Sequence, residues 1–503
     1  MSSVPFYLVL ALAGLVSLAL SRRKRSSRLP LPPSPRWYPF LGNVLSMPKS
    51  FEHEGFVEIG KELKSDIISL SFFGNTIVVL NSAQATTDLL DKRSNMYSDR
   101  KLFAAFTDSR LLNWSTFIPA SRYDNLHKKH RRMMHMWLNK QAIPAFHPAH
   151  QRQARDFLQR MLRTKGKVIT SEYLGKETFS GTLLQSIYGY NIQSLDDPFM
   201  TKPQEAIDRL VQTATPSVNI FPALVNLPDW FPGAQWKRTL REWGKEKDVT
   251  LKTMVDWTKD QIATGVNKPS IVASFLAEAD KWGQTQDEAN LSIREVAIGL
   301  LAGGTDTGVG SLIVFVIAML LFPEVQSKAQ KEIDSVVGIG RLPTVEDQPN
   351  LQYIRRIMLE CARWQPVVPL AVPRRCSEDN EYHGYLIPEG AIIFGNVWAI
   401  SRNEDVYPDP ETFNPDRFLD PNLPPAPVFG WGRRVCPGMY YSDSSLFLVI
   451  VSMLAAYNIV PPKDEAGNFV YPTIRSQKFA VFAPVDQRRL NARSFRDLIC
   501  IRS

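Results

Sequence analysis

The stretch Val296–Phe322 constrains this chain most. Its 27 residues carry a single charge, Asp306, so it is long and apolar enough to cross a bilayer. A carboxylate in mid-span costs on the order of 3 kcal/mol. Just upstream, Ser292-Ile293-Arg294-Glu295 has the spacing of a capping box, a device that starts a helix in water. The segment is therefore expected to be the central buried helix of a folded body, Leu291–Phe322. Gly303, Gly304 and Gly308 crowd around Asp306 in its middle, and an acid among glycines in a buried helix asks for a functional reason.

Around it, the helical period marks Phe51–Lys64, Ser82–Arg93, Tyr123–Lys140, Gln151–Arg163, Ser171–Tyr188, Trp236–Gly265, Pro323–Val336 and Leu351–Trp364. Strand-like runs are short. Ile67–Leu80 breaks at Gly74-Asn75 as a hairpin would, Tyr382–Phe394 breaks at Pro388-Glu389-Gly390, and a last pair is expected between Tyr457 and Phe482. With 44% hydrophobic and 22% charged residues, the chain can bury a large core, which excludes disordered, collagen-like and disulfide-scaffold classes. The expectation is a mainly α protein with small β-sheets, one large domain over residues 41–503.

Residues 1–21 read as an N-terminal membrane anchor, since Met1–Leu20 carry no charged side chain. A cleaved signal peptide would place its positive charges before the apolar run. Here Arg22, Arg23, Lys24, Arg25 and Arg28 follow it, and basic residues after a first span stay on the cytoplasmic side. The body is thus expected in the cytosol, leaving the sequons at Asn113 and Asn290 unmodified. Residues 22–40 form a basic and proline-rich linker, stiffened by Pro30, Pro32, Pro33 and Pro35. The five basic residues after the anchor account for over half of the net charge of +9. What remains gives no support to nucleic-acid binding. The cysteines at 361, 376, 436 and 500 match neither a zinc-finger spacing nor a secreted framework.

The most specific pattern is Phe429-Gly430-Trp431-Gly432-Arg433-Arg434-Val435-Cys436-Pro437-Gly438, which fits F-x-x-G-x-R-x-C-x-G at every fixed position. Here the chain resembles the cytochrome P-450 haem-thiolate monooxygenases, from about Pro30 to Asp486. The dialect of Asn396-Val397-Trp398-Ala399-Ile400 is similar to fungal microsomal members. The resemblance implies the cytochrome P-450 fold with an N-terminal transmembrane helix, haem b as cofactor, and Cys436 as axial ligand of its iron. A thiolate donor favours cleavage of the O–O bond. Backbone N–H groups are expected to face the Cys436 sulfur. Phe429 and Gly438 bound the loop on the macrocycle, and the planar fork of Arg434 suits a propionate.

Other matches follow in order. Glu360-Cys361-Ala362-Arg363 puts Glu360 and Arg363 on one helical face. By the resemblance, Arg417 in Phe413–Phe418 completes a buried ion triad that locks the loop carrying Cys436. Gly303–Gly308 is similar to the family's oxygen-binding stretch, in which Asp306 and Thr307 relay protons; Gly308 stands where a second hydroxyl is usual. His127 and Arg131, one turn apart, are implied propionate donors, with Arg374 as a further one. Lys128, Lys129 and Arg132 offer a basic face to an acidic redox partner.

The implied activity is insertion of one oxygen atom from O2 into a lipophilic substrate: a terpenoid, steroid or aromatic compound, in secondary metabolism or xenobiotic oxidation. The chain has no dinucleotide fingerprint, so electrons from NADPH are expected through the flavins of a separate NADPH-cytochrome P-450 reductase, with cytochrome b5 as an auxiliary donor. The expected location is the endoplasmic reticulum membrane. Tyr97–Pro119 and Pro366–Val372, rich in apolar residues such as Phe103, Phe106, Trp114 and Phe117, are the expected pocket lining. Two other classes share the cysteine loop: a haem-thiolate isomerase or dehydratase that does not use O2, and a non-catalytic haem-binding membrane protein. Asp306 with Thr307 argues against both.

Overall fold

The computed structural model describes residues 29–501, apart from 101–102, 164–170, 195, 214–221, 267, 280–284, 462–465, 467, 470 and 472–498. The anchor expected at 1–21 and the basic start of the linker lie outside the described residues. Ten helices of 12 residues or more are described: α1 (Glu52–Leu63), α2 (Asn125–Leu138), α3 (His147–Arg163), α4 (Ser171–Tyr188), α5 (Pro198–Thr213), α6 (Gln235–Ala263), α7 (Gln286–Leu321), α8 (Pro323–Val336), α9 (Gln352–Trp364) and α10 (Met439–Ala456). The strands are β1 (Ile67–Phe72), β2 (Asn75–Leu80), β3 (Arg374–Arg375), β4 (Asn380–Tyr382), β5 (Tyr385–Ile387), β6 (Ile392–Gly395), β7 (Tyr457–Ile459) and β8 (Ile499–Ile501). The protein is mainly helical with small sheets.

Gly74, at φ +76°, turns β1 back on β2 as an antiparallel hairpin, Ile67 opposite Leu80. β6 joins β2 in parallel, Ile77 beside Ile392, and β3 closes the far edge of that four-stranded sheet. Pro388-Glu389-Gly390 is therefore no hairpin turn. β4 and β5 pair with each other, and the break carries the chain from that small sheet into the larger one. The last pair expected, between Tyr457 and Phe482, falls largely outside the described residues; among those described, β7 pairs with β8, beyond Phe482. Which late segment meets β7 is a matter of where the chain end lies in space, which local alternation does not encode.

Two corrections concern helices. α7 starts before Leu291, and Ser292-Ile293-Arg294-Glu295 is not its cap. The N-cap is Thr285, whose hydroxyl accepts from the Glu288 N–H while Glu288 accepts from the Thr285 N–H. Thr285-Gln286-Asp287-Glu288 has the same T-x-x-E spacing, and its exposed acids suit the positive end of the helix dipole; Ser292 and Glu295 are instead buried. The expected single helix Ser82–Arg93 is an α turn, Ala83–Thr86, followed by a π turn, Thr87–Lys92. α10 gave no periodic signal because apolar residues cover all its faces, as in any helix buried all round. By length and composition α7 and α10 could both cross a membrane. Both lie in the core instead, with Leu312, Phe315, Phe447 and Leu448 almost fully buried.

The glycines of α7 divide by direction. A Cβ on Gly304 would meet Leu183 at 2.8 Å, one on Gly308 would meet Phe179 at 2.6 Å, and one on Gly310 would meet Val367 at 2.9 Å. From the other side, a Cβ on Gly175 of α4 would meet Val309 at 2.4 Å. Gly175, Gly304 and Gly308 let α4 and α7 press together, while Gly310 admits Val367 of the loop after α9. Gly308 is thus fixed by packing, and a hydroxyl residue would not fit there as the helices stand. Gly303 has nothing within 4 Å of its Cβ position and, with Thr307, is exposed in the middle of a core helix. That stripe opens on a chamber.

Candidate active site

The cysteine loop is shaped by backbone. Gly430 and Gly432 sit at φ +75° and +51°, which side-chain-bearing residues rarely adopt. A Cβ on Gly432 would meet the Leu90 carbonyl at 2.6 Å, so the loop is pressed on the π turn. The Cys436 N–H donates to the Phe429 carbonyl at 2.8 Å. Gly438 is the N-cap of α10, and its Cβ position lies 3.9 Å from the Cys436 sulfur. Burial pushes the Cys436 thiol up, while a hydrogen bond from the Gly438 backbone and the nearby Arg131 charge pull the other way. Cys436 as a residue keeps part of its surface open.

Beside the loop, four guanidiniums converge. Arg434 donates to the carbonyls of Ser98 at 2.7 Å and Ser121 at 2.8 Å. Arg131 donates to Val435 O at 2.8 Å. Arg374 donates to Leu90 O at 2.9 Å and to Trp431 O, and Arg100 donates to the carbonyls of Val372 and Pro373. Among the described residues none of the four has a carboxylate within 4 Å; the nearby Asp99 is taken by Arg375 and the Tyr123 N–H. Burial first, then mutual repulsion, lowers Arg100 well below the usual arginine range. Burial brings Arg374 and Arg434 down to about 10.

His127 joins this cluster. Its Nδ1 lies 3.2 Å from Arg434 Nη1 and 3.0 Å from Ser121 Oγ. Arginine can only donate, so Nδ1 accepts and the ring proton sits on Nε2. Burial, reinforced by Arg434, Arg131 and Arg100, pushes its pKa down to about 2. His127 Nε2 and Arg100 Nε are buried without a partner. Several positive charges in low dielectric with no counter-ion cost several kcal/mol each. Such a cradle, with idle donors beside a thiol, fits a planar group carrying two carboxylates, as haem does. Sequence reasoning missed Arg100: it lies in a loop with no motif, and its only signal would have been the surplus of cations the fold collects.

α2 ties the two walls of the chamber. Arg131 holds the cysteine loop, and Met134, three residues on, lies 3.5 Å from the Cβ position of Gly299 on α7. On α7, the Thr307 hydroxyl donates to the Gly303 carbonyl at 2.7 Å. Asp306 Oδ2 accepts from Gln204 of α5 at 3.5 Å. Trp114 and Phe117 of the expected lining stack edge-to-face at 4.8 Å, but the Lys247 ammonium lies over the Trp114 ring, so Trp114 packs outward against α6.

Glu360 and Arg363, both fully buried, form a bidentate pair at 2.8 Å, and Glu360 Oε1 also accepts from Arg417 at 3.0 Å and the Asn414 N–H at 2.8 Å. The arginines' remaining bonds go to carbonyls of Ser401, Pro408, Asp409, Pro410 and Thr412. The triad therefore ties α9 to the segment 401–417. The cysteine loop itself is held by Arg374, Arg131, Arg434 and the π turn.

Comparison with known proteins agrees on one family. The family model described as Cytochrome P450 matches residues 32–478. The chain is 35% identical over 460 residues to a cytochrome P450 monooxygenase of Armillaria gallica, covering 89% of each. It is 34% identical over 472 residues to cytochrome P450 monooxygenase 105 of Postia placenta, covering 92% of this chain and 88% of that one. It is 32% identical over 491 residues to one of Coprinopsis cinerea, covering 95% and 94%.

Proposed function

The chain belongs to the cytochrome P450 family, and from that premise we propose how this monooxygenase, a haem b enzyme, assigns its residues and what it oxidises. Cys436 would hold the haem iron through its thiolate. Arg100, Arg131, Arg374, Arg434 and the Nε2–H of His127 hold the two propionates, and Phe429 and Gly438 border the macrocycle. The observation that carries this reading is the four converging guanidiniums with no carboxylate of their own among the described residues. When bound, haem b supplies the iron at which dioxygen is reduced and split.

The protein's own groups do the rest. Gly303 leaves room above the ring, and Thr307 holds a hydroxyl at the chamber wall through its bond to Gly303 O. By turning from that carbonyl, the hydroxyl can pass a proton inward. Asp306, tied to Gln204, can resupply it from the α5 side. Since Gly308 is sealed against Phe179, protons travel through Asp306 and Thr307 and not through residue 308. Phe106 and Phe117, expected to line the pocket, are instead packed in the core with Ile118, and the apolar make-up of 97–119 and 366–372 favours a lipophilic terpenoid, steroid or aromatic substrate. Electrons come from an NADPH-cytochrome P-450 reductase, with cytochrome b5 as auxiliary donor, at the endoplasmic reticulum membrane.

The test is spectroscopic. The reduced carbon monoxide complex of the wild-type protein should show the red-shifted Soret band of a thiolate-ligated haem, and Cys436→Ser should lose it. A normal band in that variant would overturn the assignment. Screening lipophilic compounds for Soret shifts and for NADPH-dependent product then defines the substrate.

A further inference from the structure

The first two turns of α10, a helix apolar on all its faces, bury three polar side chains, Tyr441, Ser444 and Ser445. The helix opens at Gly438, whose Cβ position lies 3.9 Å from the Cys436 sulfur. The Ser442 N–H donates to the Gly438 carbonyl at 2.8 Å, which ties Gly438 into the first helical turn. Whatever fixes that turn therefore also fixes the backbone that faces the thiol. Tyr441 stands in it, with its side chain buried.

Tyr441 is held at both ends. Its hydroxyl lies 2.9 Å from Ser186 Oγ and 3.3 Å from the Thr182 carbonyl, both on α4. Ser186 spends its own proton on Thr182 O at 2.8 Å, so in the shorter contact the tyrosine donates. The ring is gripped from the other side. His150 of α3 meets it edge-on at 4.5 Å and 90°, and Phe146 meets it at 5.2 Å and 73°. His150 also reaches α10 a second time, its Nδ1 lying 3.1 Å from Ser444 Oγ. Burial brings this imidazole down to about 3, so it is neutral, and its Nε2 is buried without a partner. A buried donor is left unpaired less readily than an acceptor, which puts the ring proton on Nδ1, donating to Ser444. That is the opposite tautomer to His127.

We propose that Tyr441 is a positioning residue for the Cys436 thiolate. By tying the first turn of α10 to α4, its hydroxyl fixes the angle at which the Gly438 N–H meets the sulfur. That angle sets how much electron density the thiolate offers to haem iron, because hydrogen bonds around a metal site tune its potential. His150 and Phe146 hold the tyrosine ring in place, so the hydroxyl meets α4 at one point. Farther along α10, Phe447, Leu448 and Leu454 are held by apolar packing. Packing of that kind is non-directional, whereas a hydrogen bond prefers one angle and so resists rotation of the helix about its axis. This rests on the haem reading above.

The experiment uses the haem-loaded protein. It reads the iron's reduction potential, the iron–sulfur stretch by resonance Raman, and the rate at which the reduced carbon monoxide complex loses its red-shifted Soret band. Tyr441→Phe keeps the ring and removes the hydroxyl. It should weaken the N–H···S bond, leave the sulfur more electron-rich, lower the potential and shift the stretch. Loss of the band should speed up about three- to tenfold, as expected for one neutral hydrogen bond. Ser186→Ala leaves the tyrosine the Thr182 carbonyl to donate to, so it should move all three readings the same way by less; should Tyr441→Phe fail to load haem, this variant carries the test. Leu448→Ala, about 15 Å along the same helix, should lower the melting temperature more than Tyr441→Phe yet leave potential and stretch at their wild-type values. Potential and stretch unchanged in both hydroxyl variants at full haem content overturn the proposal, however far the melting temperature falls. Equal shifts in Leu448→Ala overturn it too, since loosening anywhere along α10 would then suffice. A wild-type protein without the red-shifted band refutes the haem reading itself.

Discussion

Arg100→Met tests the cradle most directly, because it separates a ligand-binding role from a structural one. Arg100 is 8% exposed. It makes two bonds to backbone carbonyls of Val372 and Pro373 and leaves Nε idle. Methionine keeps the stem and removes the charge. Losing the carbonyl bonds destabilises the apo and holo proteins alike, by roughly 1–3 kcal/mol for groups left unsatisfied. Losing the charge relieves repulsion from Arg434 and Arg374 in the apo protein, whereas losing the idle donor weakens only the holo protein, so the difference between the two forms reads the haem contact. A charged hydrogen bond contributes about 1.5–3 kcal/mol, which at about 1.4 kcal/mol per decade weakens haem binding roughly tenfold to hundredfold. The assay is haem transfer to excess apomyoglobin, followed at the Soret band, with thermal melts of both forms. Arg100→Lys, which keeps the charge but not the fork, should fall between wild type and Met. If Arg100→Met releases haem at the wild-type rate while both forms lose equal stability, Arg100 only staples the loop and the cradle argument fails for it.

Thr307→Val should leave haem content and reduction intact but lower product per NADPH, with hydrogen peroxide rising; unchanged coupling would exclude Thr307 from proton delivery. Gly308→Ser should destabilise by about 1–3 kcal/mol through collision with Phe179, without improving coupling; a stable, better-coupled variant would show that residue 308 faces the chamber after all. Burial pushes His53 and His130 down to about 4 and His150 to about 3. The unfolded chain takes up protons on these rings near pH 6.5 while the folded chain keeps them neutral, so their stability is present above pH 6.5 and is lost as pH falls toward 4. Between pH 7.5 and 5.5 the loss is on the order of 1 kcal/mol per histidine; a melting temperature flat over that range, or a His150→Phe variant as acid-sensitive as wild type, would contradict it.

The chemistry of this protein is written in contiguous residues. A thiolate loop needs glycines and an arginine within ten positions of one cysteine, and an acid-alcohol pair needs two adjacent residues on one helix. Covalent spacing enforces both, so the roles proposed for Cys436, Asp306 and Thr307 follow from sequence pattern, and the i, i+3 pairing of Glu360 and Arg363 was legible there too. Helices with one polar face were legible for the same reason, whereas α10, apolar all round, has no period to read.

What joins distant segments was not. The Ser292-x-x-Glu295 box pointed to the wrong start for α7, and only the burial of Ser292 and Glu295 shows that the helix opens at Thr285 instead. Gly308 was a departure from a pattern until Phe179 of α4 was seen to occupy the space. Arg100 and Lys247 lie in no motif, because what makes them unusual is a charge taken out of water beside a partner more than a hundred residues away. Desolvation and long-range pairing depend on three-dimensional proximity, which local sequence pattern does not carry.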